Sequence, residues 1–124
     1  MKIINELLVD DINKSINFYK YILGFEVIDT VGEPIEWVKI HYGETELMME
    51  LYESAKEEFA SLPSKTLSTN LIMLKYENNE EIDSIYKKVK DNNIRVFNDL
   101  KETDYGTKEF VVMDPDSNIL IISN

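Results

Sequence analysis

Chemistry in a chain like this must come from few residues. His41 is the only histidine and there is no cysteine, so a thiolate nucleophile, a disulfide and a zinc–cysteine site are all excluded. Any acid–base proposal therefore starts at His41 and the carboxylates that can share a surface with it. In "IEWVKIHY" strand alternation puts Trp37, Lys39 and His41 on one face and Val38, Ile40 and Tyr42 on the other. In "ELMMEL" the same alternation separates Glu46, Met48 and Glu50 from Leu47, Met49 and Leu51. The more uniformly apolar sets are expected to pack beneath a helix. Trp37, His41, Met48 and Glu50 then face the opposite side, with Glu50 the best-placed carboxylate, and Glu6 is a further candidate. Tyr105, followed by Gly106 in a polar loop, could close over a flat or cationic ligand by stacking. These five, Trp37, His41, Met48, Glu50 and Tyr105, form the expected ligand-binding set. No catalytic residue, metal ligand or cofactor site is assigned.

The elements that must position these residues follow from period and punctuation. "IINELLV" reads as a strand, and Asp11 stands as N-cap before Ile12, Ile16, Tyr19 and Leu23 at helical spacing, with Gly24 at the helix end. "FEVIDTV", "IEWVKIHY" and "ELMMEL" read as strands, the last two joined by a short turn at Gly43. Ser54 can cap a short helix that must finish before Pro63, and residues 53–64 are taken as a linker. The order then repeats: strand "TNLIMLKY", a helix through "NNEEIDSIYKKVKDNN" with Ile82, Ile85, Tyr86 and Val89 on one face, then strands "IRVF", "KEFVVM" and "NILIIS". In "DPDS" Asp114 is expected to accept backbone hydrogen bonds. Acidic runs such as "KEEF" at 56–59 and "NNEE" at 78–81 read as solvated helix faces.

Composition bounds the partners. The 124 residues carry a formal net charge of −11, which opposes nucleic acid and suits a cationic or polar small molecule. No apolar run is long enough to span a bilayer, and the start "MKIINELLVDD" lacks the order of a signal peptide, so a cytoplasmic location is expected.

"DINKSINFYKYILGFEVI" resembles the first helix and second strand of the vicinal oxygen chelate superfamily, which includes glyoxalases, bleomycin-resistance proteins and extradiol dioxygenases. "YGTKEFVVMDPDSNILI" is similar to its closing hairpin, with Ser117 where glycine is usual. The resemblance covers essentially the whole chain. It implies an α+β fold of two βαβββ modules, about 1–52 and 65–124, whose sheets curl around a cleft with helices on the convex side. It also implies a homodimer. The positions that hold metal in metal-using members fall at Ile4, near Met48, near Asn70 or Leu71, and at Ile121. None of these is a dependable ligand, so the resemblance is closest to the metal-free, resistance-type members. The expected function is small-molecule binding, sequestering a cationic or aromatic ligand. The alternative is a metal-dependent glyoxalase-like lyase or isomerase in which Glu50 is the base and His41 with Glu50 or Glu6 holds the ion.

Overall fold

The computed structural model describes residues 1–64 and 70–124. The chain divides into two compact units, residues 1–66 and 67–124, each built as βαβββ. The expected boundary at 64/65 and the first residue of the expected fifth strand, Thr69, touch or lie outside the described residues.

In the first unit β1 (Glu6–Val9) leads into α1 (Ile12–Asn17), followed by β2 (Glu26–Val31), β3 (Trp37–Tyr42) and β4 (Thr45–Leu51). The open sheet runs β1-β4-β3-β2, with β1 parallel to β4 and the other pairs antiparallel. Asp11 caps α1 as expected, accepting a hydrogen bond from the Lys14 amide at 3.1 Å. The helix then widens into one π turn over Phe18–Ile22, closed by Leu23 N–H donating to the Phe18 carbonyl. Phe18 and Ile22 consequently join Ile12, Tyr19 and Leu23 in the core, while Ile16 is only half-buried. Gly24, at φ +86°, ends the helix in a conformation that favours glycine. Beneath α1 lie Val9, Val38, Ile40 and Met49, each at most 1% exposed. The alternation in "WVKIHY" therefore sorts as the sequence predicts, with Val38 and Ile40 inside and Trp37, Lys39 and His41 half-exposed; Tyr42, at the strand end, is exposed.

β4 runs directly into α2 (Tyr52–Glu58). This helix starts two residues before Ser54, which lies within it, and its N-cap Leu51 offers no side-chain acceptor. Tyr52 Oη donates to the Pro63 carbonyl at 2.8 Å, so the segment beyond the helix is tied back to its first residue.

The second unit repeats the plan with β5 (Leu71–Lys75), α3 (Asn79–Asp91), β6 (Val96–Glu102), β7 (Lys108–Met113) and β8 (Ile119–Ser123), in sheet order β5-β8-β7-β6. Asn78 caps α3 by accepting from the Glu81 amide, and the Glu81 carboxylate accepts from the Glu77 amide. Ile82, Ile85 and Val89 are buried with Phe110, Val112, Leu120 and Ile122, and Tyr86 packs edge-on against Phe110 at 5.1 Å between ring centres. At the β7–β8 turn Asp114 accepts from the amides of Asp116 and Asn118 and from the Asn118 side chain. Ser117 takes the left-handed conformation, φ +67°, where a glycine would be unstrained.

Candidate functional site

Each sheet has one face closed by its helix and one open face, and the site residues expected from sequence sort by unit. On the open face of the first sheet, register places Trp37 opposite Glu50, Lys39 opposite Met48 and His41 opposite Glu46. On the other side of β4, Glu6 lies beside Met48 and Leu8 beside Glu50. Trp37, His41, Met48 and Glu50 thus share one surface. Tyr105 belongs to the second unit, where it is 73% exposed and its hydroxyl donates to Glu109 at 3.4 Å.

His41 and Glu50 do not form a pair. They stand four residues apart in register, about 13 Å along the strand direction. The imidazole is held at the β2 side: Nδ1 donates to the Gly43 carbonyl at 3.2 Å, and Nε2 lies 3.5 Å from the Glu26 carboxylate.

Glu50 has a different environment. It is 9% exposed. Burial first, then hydrogen bonding with the carboxyl of Glu58, the last residue of α2, and the charges of Glu6, Glu58 and Glu36, push Glu50 up from the ordinary 4.5 to about 7. Glu36 belongs to the same neighbourhood because its carbonyl accepts from the Leu51 amide at 2.9 Å. Glu58 itself is exposed, as expected for a solvated helix face. Acidic residues gathered around Glu50 from distant positions are not a pattern that spacing along the chain reveals.

A cavity of about 360 Å³ opens at the other end of this surface, lined by Lys2, Ile3, Ile4, Lys39, Glu44, Glu46 and Met48. Of the expected ligand-binding set only Met48 reaches it; Trp37, His41 and Glu50 lie outside. Lys39 and Glu46 are 3.6 Å apart, leaving Lys2 and Glu44 as a second pair of opposite charges on the same wall. Ile4 stands at a position singled out from the resemblance, whereas the contribution of Lys2 and Ile3 was not anticipated; the strand expected from Ile3 begins only at Glu6, and the residues before it approach the sheet through the Met48 amide donating to the Asn5 carbonyl.

A family model for the Glyoxalase/Bleomycin resistance protein/Dioxygenase superfamily matches residues 4–122. The chain belongs to that superfamily. Among solved structures, a glyoxalase-related enzyme from Fulvimarina pelagi is 15% identical, with 99% of this chain and 86% of the other covered and a TM-score of 0.81. A protein of unknown function from Agrobacterium tumefaciens is 21% identical over 99% and 93%, at 0.79. A lactoylglutathione lyase from Agrobacterium tumefaciens is 18% identical over 98% and 92%, at 0.74. At these identities the likeness shows the fold. A search of curated proteins by sequence gives no significant match.

Metal-using members of the superfamily imply a divalent ion, and its positions can be tested on side chains. Ile121 lies in register between Met73 and Val111, three side chains without a hard donor. Met48 lies between Glu6 and Lys39. Leu71 pairs with Ile119. Among the described residues, no three of His, Cys, Asp or Glu converge as a metal site. The residues present do not fit such an ion.

Proposed function

We propose that this chain is a small-molecule-binding member of the superfamily that holds its ligand without a metal. The observation that carries this reading is the apolar trio of Met73, Ile121 and Val111 at a position where metal-using members need a carboxylate. The cavity beside Met48 supports it, since Ile3, Ile4 and Met48 offer apolar contact while Lys2 and Glu44 offer charge of both signs. A ligand with an apolar or aromatic body and a charged group suits such a lining, and the net charge of −11 favours a cationic group. Sequestration, rather than turnover, is the activity we attach to it, since among the described residues no three of His, Cys, Asp or Glu converge as a metal site. The test is calorimetric titration of chelator-treated protein with a panel of aromatic cations. Saturable binding that Met48→Lys weakens and added zinc leaves unchanged supports the proposal; binding that appears only with added metal contradicts it.

A second reading, a glyoxalase-like lyase or isomerase, is favoured by one observation. Glu50, pushed to about 7, has the proton affinity suited to a general base at neutral pH. Lyase activity towards a hemithioacetal that disappears in Glu50→Gln would establish it.

The proposal includes a homodimer. Leu71 and Met73, on the edge strand β5, are 63% and 51% exposed, and a second copy covering them would remove apolar surface from water. Sedimentation at micromolar concentration should show two copies; a monomer at all concentrations contradicts this part.

A further inference from the structure

We propose that residues 3–5 are a latent extension of β1 that zips onto the open edge of β4 and closes the cavity beside Met48, acting as its gate. In register, β1 and β4 pair from Glu6 and Met48 to Val9 and Leu51. β4, however, starts at Thr45, so Thr45, Glu46 and Leu47 are paired with β3 alone. The second unit shows no such overhang, because β5 and β8 pair along their whole length, from Leu71 with Ile119 to Lys75 with Ser123. The cavity is lined from both sides of the gap, by Lys2, Ile3 and Ile4 and by Glu44, Glu46 and Met48.

The edge is complementary to the segment beside it. In a parallel pair every second residue of a strand directs both its amide and its carbonyl at the neighbouring strand. The Met48 amide donates to the Asn5 carbonyl at 3.1 Å, so Met48 is such a residue, and so is Glu46 two positions earlier. The next rungs of that ladder are the Glu46 amide to the Ile3 carbonyl and the Asn5 amide to the Glu46 carbonyl. Neither is formed among the described residues. The same register sets Ile4 beside Glu46 and Lys2 beside Glu44, the second a pair of opposite charges. Ile3 and Ile4 are strand-forming residues left 79% and 60% exposed, and pairing would cover them. "IINELLV" reads as one strand from Ile3, yet the strand begins at Glu6. Local preference and unmet backbone groups thus favour closure, while any occupant of the cavity keeps its two sides apart. The extension does not require the proposed ligand; its role as a gate rests on the cavity being the binding site.

The chain has no cysteine, so a single introduced thiol can report on the cavity. The experiment combines amide exchange with alkylation of Met48→Cys by iodoacetamide, a small neutral reagent, in the full chain. The Glu46 amide of the wild type should exchange about tenfold more slowly than in an unstructured chain. Asn5→Pro removes the donor of one rung but keeps the carbonyl that the Met48 amide uses, and should return Glu46 to the unstructured rate. Asn5→Val, a better strand former, should slow it further. The Met49 amide, directed at β3, should stay protected in all of these chains and shows that the sheet is intact. Alkylation of Met48→Cys should be several-fold faster with Asn5→Pro and slower with Asn5→Val. A Glu46 amide at the unstructured rate in both the wild type and Asn5→Val would overturn the extension. Protection at Glu46 with an alkylation rate indifferent to both Asn5 variants would overturn the gate. Neither readout uses a ligand, so failure of the small-molecule reading leaves both intact.

Discussion

The two units share a topology and differ in what their open faces carry. In the first sheet that face is charged: Glu6, Lys39, His41, Glu46 and Glu50 surround Trp37 and Met48. In the second, the corresponding surface of β5, β8 and β7 is a field of Leu71, Met73, Val111, Met113, Ile119 and Ile121, with Lys75, Glu109 and Ser123 at one end and Asn98 of β6 beside Val111. The closed faces are alike, since each buries one amphipathic helix against alternate strand residues. One supersecondary plan thus sets the core twice, while the residues of opposite parity are free to diverge. Divergence, not the fold, is where function must be sought.

The closed faces should be equally intolerant of loss. Phe110→Ala in the second unit and Met49→Ala in the first, both fully buried, should each lower stability by roughly 2–5 kcal/mol, measured by urea denaturation. A small effect at one site only would show that the two cores are not equivalent.

The open faces should respond unequally. Ile121→Glu puts a carboxylate between Met73 and Val111 and should cost roughly 1–3 kcal/mol. Met48→Glu, beside Lys39, should cost less than about 1 kcal/mol. Equal costs would remove the contrast between the sheets.

A third difference depends on pH. Glu50 keeps its proton to about 7 in the folded chain but loses it near 4.5 when unfolded. Between those values the folded state binds more protons, so stability falls as pH rises and levels off above 7. Glu50→Gln should therefore be worth roughly 1–3 kcal/mol at pH 8 relative to its effect below pH 4.5, a range that allows for partial solvent screening. No such dependence in chemical denaturation at the two pH values would mean that Glu50 is ordinarily solvated.

The smallest expected effect is at the β7–β8 turn. Ser117→Gly should stabilise the chain by roughly 0.5–1 kcal/mol, because relief of the left-handed strain exceeds the added chain entropy. Destabilisation would place the strain elsewhere.

Much of this was legible in the sequence because it depends on local pattern. Asp11, Gly24 and the parity of "WVKIHY" act through neighbours a few residues away, and the structure places them accordingly. In "ELMMEL" the alternation of burial is blurred, since Glu50 is buried with Met49 while Leu47 and Leu51 are only half-buried. The departures come from longer reach. The π turn changes which residues of the first helix face the core, so Phe18 and Ile22 were missed and Ile16 overvalued. Glu50 was singled out by parity, but its burial among the charges of Glu6, Glu36 and Glu58 was not, because those residues come from distant positions in the chain. His41 was grouped correctly by face yet is tied to Glu26 across β2, a distance along the sheet that alternation alone does not measure. Lys2, Ile3 and Glu44 line the cavity from outside the strands, where no periodicity marks them.

We propose, as the central claim, that the family's metal position at Ile121 has been given over to apolar contact with Met73 and Val111. Its most direct test is the metal content of protein purified without chelator and then incubated with zinc, nickel or ferrous iron, measured by native and elemental mass spectrometry. The account predicts far less than one equivalent of any of them after desalting. One tightly held equivalent per chain, lost when Glu6, His41 or Glu50 is replaced, would contradict it.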